Sequence, residues 1–452
     1  MSSPTVQPVG SNAAELAKLW SLGWPVVVGG VGMLAMSAVD TAMVGPLGPA
    51  ALAALSAATM WIHGLGILGR GAMMGVDPIV TQAWGRGDRA EIASATRSVI
   101  VAALLLSVPM ALAYQVAAPG LAVLGQPAEV LPDVAAYARA VSFGVPGWML
   151  FWALRQVLQG MERMRPATIA VLVANGLNVV LNACLVHGWL GAPALGVQGA
   201  GFATAGSSWC MALVLAWLGR HELLALLRHP HTVGLWTGVA KLLRLGGPIA
   251  LQLGVEVWGF IGAGMLVGWM GTTALAGHAV ALLIASVAFM VPLGISSGAT
   301  TRVGNLLGAK MRWRRSAWLA VLLGVTACAL NAAILALAPG PLARLFSPDP
   351  PVIAVVMGLL PVAATFQLFD GTQVTAHGVL RGLGDVRVPM AFNVVAFWLF
   401  ALPLAYVLGH TFELGPVGVW WGLVAGLGAV SAMLLLRMWQ LGSRPDRVLR
   451  HD

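Results

Sequence analysis

The sequence predicts an all-α, polytopic membrane protein with twelve transmembrane helices in two pseudo-symmetric lobes of six, and three observations carry that expectation. Only 9% of the 452 residues are charged and 59% are hydrophobic, whereas soluble domains carry roughly 25% charge. Apolar runs of about 20 residues, long enough to cross a hydrocarbon core about 30 Å thick, recur along the chain. They extend from Leu22 to Trp439. The chain also repeats itself: a displacement of 223 positions lays Pro25 on Pro248, Gly45 on Gly268, Gly48 on Gly271, Gly71 on Gly294 and Gly85 on Gly308. A barrel needs short strands that alternate apolar with polar residues. Residues 99–108 and 320–337 are almost continuously apolar and show no such alternation.

In order, spans are expected to begin near Leu22, Ala50, Ser94, Val134, Pro166 and Gly196, then near Gly246, Ala274, Ser316, Val352, Val388 and Pro416. This divides the chain into a cytoplasmic N-terminal segment (1–21), an N-lobe (22–219), a cytoplasmic connection (220–245), a C-lobe (246–438) and a cytoplasmic tail (439–452). Six spans per half is an even number, so both halves enter from the same side. The repeat is therefore parallel, as in transporters built from two lobes around a central cleft.

The net charge of +9 reports topology rather than a nucleic-acid partner, because the bases alternate between loops. Arg86, Arg89 and Arg97 follow the second run, Arg163 and Arg165 the fourth, and Arg220, Arg228, Lys241 and Arg244 surround the connection. The same parity continues with Lys310, Arg312, Arg314 and Arg315, with Arg381 and Arg387, and with Arg444, Arg447 and Arg450. Intervening loops hold almost none; Arg139 and Arg344 are the exceptions. By the positive-inside rule both termini face the cytoplasm. No short apolar segment with a basic flank and a cleavage site precedes the first span, which is expected to serve as its own insertion signal. Cys184, Cys210 and Cys328 lie inside apolar runs without metal-site spacing and read as packing residues. Residues 304–310 resemble a phosphate-binding loop only superficially, so no ATP hydrolysis is expected.

Ionisable residues inside spans are expensive and mark function by default. Twelve of the 16 acids fall in loops, termini or span ends, which leaves Asp40, Asp77, Glu256 and Asp370. Asp77 precedes Pro78 near a cytoplasmic helix end and is the weakest of the four. Asp40, 18 residues beyond Leu22, lies roughly 27 Å along its helix, towards the outer side. Asn175, Asn178 and Asn182 recur at i, i+3 and i+7 and share one helical stripe; Thr204 adds a hydroxyl on the next span. These are oxygen donors that a hard cation accepts; interhelical hydrogen bonding is the plainer alternative. In the second half Gln252 and Glu256 are one turn apart, with Phe260 a turn further on, and Gln367, Asp370, Gln373 and His377 fall on one stripe of the tenth span. His278 and His377 read as packing residues before relays. Most of the 18 Trp belong to interfacial belts. Trp258, beside Glu256, could offer a π-face to an organic cation.

At these residues the chain resembles the multidrug and toxic compound extrusion (MATE) transporters, specifically their NorM-like branch. The likeness is carried by Val39-Asp40-Thr41-Ala42-Met43-Val44-Gly45, by Gln252 through Glu256-Val257-Trp258, and by Phe369-Asp370-Gly371-Thr372-Gln373 leading to Leu380-Arg381-Gly382-Leu383-Gly384-Asp385. The resemblance implies a non-enzymatic antiporter of the bacterial inner membrane that exports amphipathic, mostly cationic compounds in exchange for Na⁺ or H⁺. It implies cation coupling at Asp40, Asn178, Asn182 and Thr204, with Asn175 on the same stripe, and cation, proton and substrate contacts at Glu256, Asp370, Gln252, Gln373 and Gln367. Trp258 and Phe260 are the expected pocket aromatics, and Pro25 matches a proline at which the first helix bends in some relatives. Position 182 is Asn where DinF-like transporters carry an acid, which removes one charge from that site. No cofactor beyond the coupling ion is expected, and the protein is expected to be a monomer in contact with lipid. The rival reading is a flippase of lipid-linked precursors. It would require several Arg or Lys within the spans, where only Arg70 and Arg155 stand out. An intramembrane enzyme would need a nucleophile and base pair or a metal cluster, and none is evident.

Overall fold

The computed structural model describes residues 6–346 and 348–443, so the tail bases Arg444, Arg447 and Arg450 lie outside the described residues. The helices are α1 (Asn12–Val44), α2 (Pro49–Met73), α3 (Asp77–Arg86), α4 (Arg89–Gln115), α5 (Ala117–Val123), α6 (Leu131–Ser142), α7 (Val145–Gly160), α8 (Arg165–His187) and α9 (Val197–Leu218). They continue with α10 (Arg220–Arg228), α11 (Leu235–Gly268), α12 (Thr272–Gly308), α13 (Arg314–Leu337), α14 (Pro339–Phe346), α15 (Pro350–Gly382), α16 (Arg387–Val394), α17 (Leu402–Tyr406) and α18 (Gly415–Ser443).

Among the described residues eleven stretches are long and apolar enough to cross a membrane. The remaining span is α6 with α7, two helices of 12 and 16 residues that meet at Phe143 and Gly144. A glycine is required there: a Cβ on Gly144 would lie 2.6 Å from the Ala205 backbone on α9. Another span, Arg387–Thr411, contains two wide π-helical turns, Val395–Ala401 and Val407–Thr411, on either side of Pro403. Proline has no N–H to close the regular ladder, and the local opening of the backbone accommodates that loss.

Several helices outrun the apolar runs that announce them. α1 begins at Asn12 rather than near Leu22, and α11 at Leu235 rather than near Gly246. Hydropathy reports where a helix meets lipid, whereas backbone hydrogen bonding continues as long as its polar flanks find partners. Glu15 is such a flank. Read from sequence as part of a cytoplasmic segment, it is 2% exposed in the first turn of α1. Its carboxylate accepts from Arg302 Nε at 2.7 Å and Nη2 at 2.8 Å, and from Ser316 Oγ at 2.6 Å. Arg302, missed among the span arginines, is itself 2% exposed. The connection expected over 220–245 holds α10 and the start of α11. Arg97 donates to the carbonyls of Leu227 and His229 and pairs with His231, satisfying groups at the end of α10.

The described residues form two compact units, residues 28–84 with 88–250, and residues 251–346 and 348–443 with 6–27 and 85–87. The first has one apolar core, around Leu55, Val99, Phe151 and Leu215. The second has two, one around Phe366, Phe397 and Trp420 and one around Leu19, Val303 and Leu434. The division falls inside α1 and inside α11, in each case two residues past an in-helix proline, Pro25 or Pro248. Glycine contacts within the units reproduce the repeat. In the first unit Gly71 meets the backbone of Ala250, and Gly75 meets the carbonyl of Leu242. In the second, Gly294 meets Val27, and a Cβ on Gly298 would lie 2.8 Å from the Leu19 oxygen. Each partner is displaced by the same 223 positions, so the first half of α11 packs with the N-lobe helices as the first half of α1 packs with those of the C-lobe.

The candidate cation and substrate sites

In the first unit Asp40, 5% exposed, lies four residues before the end of α1. Because α1 begins at Asn12, Asp40 stands 28 residues along it, roughly 42 Å, close to its C-terminal end. Three neutral donors converge on its carboxylate. Thr204 Oγ1 donates to Oδ2 at 2.7 Å, and Asn182 Nδ2 and Asn178 Nδ2 donate to Oδ1 at 2.8 and 3.1 Å. Asn178 and Asn182 are fully buried, and the side-chain carbonyl oxygen of each has no hydrogen-bond partner. Asn175 does not join them: its amide donates to the backbone oxygens of Gly32 and Val171, both at 2.9 Å. A residue that sequence reasoning missed does join them. Tyr137 on α6 lies close to Thr204 and Thr59 and within the electrostatic reach of Asp40. The only hint in the sequence is that it is one of three tyrosines, set in an apolar run.

A carboxylate, two amide carbonyls with free lone pairs and a hydroxyl oxygen make an all-oxygen donor set, suited to a hard monovalent cation or to a proton on the carboxylate. Among the described residues no three His, Cys, Asp or Glu side chains gather as metal ligands. A cation here would depend on the amides and the hydroxyl.

In the second unit α15 presents Gln367, Asp370 and Gln373 along one buried stripe, each 4% exposed or less. Gln367 Nε2 donates to the Ala285 oxygen at 2.8 Å, while the side-chain oxygens of Gln367 and Gln373 have no partner. Glu256, on α11, is half-buried and within electrostatic reach of Asp370. Asn393, also missed, connects Glu256 to His377: its Nδ2 donates to Glu256 Oε2 at 3.4 Å and its Oδ1 lies 3.1 Å from His377 Nε2. Gln252 is buried one turn before Glu256, and Trp258 is half-buried beyond it. Phe260, half-buried, has its ring centroid 5.8 Å from those of both Phe366 and Phe397. His278 accepts from Trp420 Nε1 at 3.0 Å and behaves as the packing residue expected. Asp77 is buried in the first unit and accepts from Gln156 Nε2 with both oxygens, at 2.9 and 3.0 Å.

The MatE family model matches residues 25–184 and 248–407, two segments displaced by the 223 positions of the repeat. The multidrug resistance protein NorM of Vibrio vulnificus is 33% identical over 447 residues, covering 96% of this chain and 97% of that one. MdtK of Photorhabdus laumondii is 31% identical with the same coverage. Among solved structures, the eukaryotic MATE transporter AtDTX14 superposes with a TM-score of 0.89 at 23% identity over 97% of this chain and all of that one. VcmN of Vibrio cholerae in its bent form gives 0.84 at 20% identity, over 97% of this chain and 99% of that one. These structures share the fold. With bacterial relatives and membrane-crossing helices throughout, this is an inner-membrane multidrug efflux transporter, and the chain belongs to the MatE family.

Proposed function

We propose that the protein is a cation-coupled antiporter that exports amphipathic, mostly cationic compounds by alternating access, with Na⁺ or H⁺ as its coupling ion and no other cofactor. One observation carries the reading: the Asp40 carboxylate is buried among neutral donors, and two amide oxygens beside it lack partners. An ion on Asp40, or on the Glu256 and Asp370 pair, competes with a cationic substrate for the same negative charge, and that competition is the coupling free energy. The driving force suffices, since one charge moving through about 150 mV gains roughly 3.5 kcal/mol. The loop bases put both termini in the cytoplasm. Pro25 is the proposed bending point of α1, and a monomer surrounded by lipid is the proposed working form.

The flippase reading gains little from the additional buried arginine, because Arg302 is neutralised by Glu15. Efflux of a fluorescent cation from vesicles tests the proposal. Asp370→Asn and Glu256→Gln should each abolish ion-driven efflux while the protein still inserts, and undiminished efflux from both would remove the C-lobe assignment.

A further inference from the structure

The transport sites use the buried acids, but one buried cation in the first unit has no role in them. Arg155 lies on α7, five residues before Gly160, and is 9% exposed. Among the described residues its guanidinium makes no hydrogen bond and no ion pair. Its Cζ sits 4.6 Å from the centroid of the Trp152 ring, and Arg70 places a second guanidinium 4.7 Å from that centroid. Asp77 is within electrostatic reach of Arg155, yet both of its oxygens accept from Gln156. Trp152 Nε1 is a second donor without an acceptor, and the ring is 4% exposed.

A guanidinium carries five N–H donors and stays charged. Burying it without an acceptor is among the costliest arrangements a membrane helix can hold. The nitrogens of Arg155 are not among the sealed, partnerless atoms, unlike Trp152 Nε1, so with no partner each keeps a trace of accessible surface.

We propose that Arg155, supported by Trp152, is a subsite for the carboxylate of zwitterionic substrates. The proposal rests on the reading of this protein as an exporter of amphipathic cations, to which it adds a recognised anionic group. A planar fork with two parallel N–H groups matches a carboxylate bidentately. The Arg70 charge beside the same ring strengthens the local field, and Asp77 disfavours a multiply charged anion such as a pyrophosphate. A lipid phosphate shares the oxyanion chemistry, and the test separates it from a substrate carboxylate.

Two forms of one fluorophore serve as probes: rhodamine 6G, a cationic ethyl ester, and its hydrolysed free acid, which carries a carboxylate instead. Binding of each to the purified full-length protein is read by fluorescence anisotropy, in nanodiscs of phosphatidylcholine alone and with phosphatidylglycerol added. The wild type should prefer the acid. Arg155→Gln should cut that preference about tenfold, the size of one charge-assisted hydrogen bond. Arg155→Lys keeps the charge without the fork and should fall between, and Trp152→Phe should cause a smaller loss. A parallel loss of both dyes in Arg155→Gln, or an unchanged preference, would overturn the subsite by reducing Arg155 to a packing residue or to none. A preference that moves only when phosphatidylglycerol is added would assign the position to lipid and overturn it as well. A wild type that binds the ester without preferring the acid sinks the subsite alone. If it binds neither dye, the export reading falls too.

Discussion

Asp40 draws its hydrogen-bond partners from α8 and α9, with Tyr137 of α6 nearby, and only some of these neighbours announce themselves in the sequence. Asn178, Asn182 and Thr204 are legible because a polar side chain within an apolar run is costly and two of them share a helical stripe. Spacing alone also selects Asn175, which the fold turns to a different use on the backbone of α1. Tyr137 stays hidden because a tyrosine in an apolar span carries no such penalty until its hydroxyl is placed. The two asparagines therefore part company experimentally: Asn182→Leu should abolish ion-dependent efflux, whereas Asn175→Leu should lose about 1 kcal/mol of stability per broken hydrogen bond and keep the coupling. Parallel loss of efflux in both, measured in the same vesicles, would return Asn175 to the site. Glu15 and Arg302 give a second residue-scale test. Removing one partner of a buried ion pair typically costs about 3–5 kcal/mol, so Arg302→Met should sharply lower the thermal midpoint. Adding Glu15→Gln to that variant should recover part of the loss, and an additive loss would contradict the pairing.

The number and order of the spans are legible at the scale of elements, because a hydrocarbon core imposes a minimum apolar length. Their ends are less so. The early starts of α1 and α11, and the break between α6 and α7, depend on polar and glycine contacts supplied by other helices, which hydropathy does not register. The repeat is the exception. Gly71 and Gly294 align in sequence, and each sits where another backbone or side chain leaves no room for a Cβ. Overpacking typically costs about 1–3 kcal/mol. Gly71→Leu and Gly294→Leu should therefore lower the thermal stability of the solubilised protein by similar amounts. A silent result at either position would break the equivalence.

At the scale of the molecule, a 9% charge fraction first signals a membrane protein. Its sorting then separates orientation from transport: most bases are proposed to fix topology, most acids lie outside the spans' interiors, and Asp40, Glu256 and Asp370 are left as the negative groups proposed to bind cations. The Na⁺ or H⁺ choice is not legible, because the oxygens around Asp40 serve either ion. Coupled efflux should vanish when the gradients are removed, whichever ion is used. The decisive measurement is export of a fluorescent cation from proteoliposomes under a Na⁺ gradient alone and then a pH gradient alone, for the wild type and Asp40→Asn. The wild type should export uphill under at least one gradient and Asp40→Asn under neither. Export that persists with both gradients collapsed, or that is unchanged in Asp40→Asn, would contradict the proposed coupling.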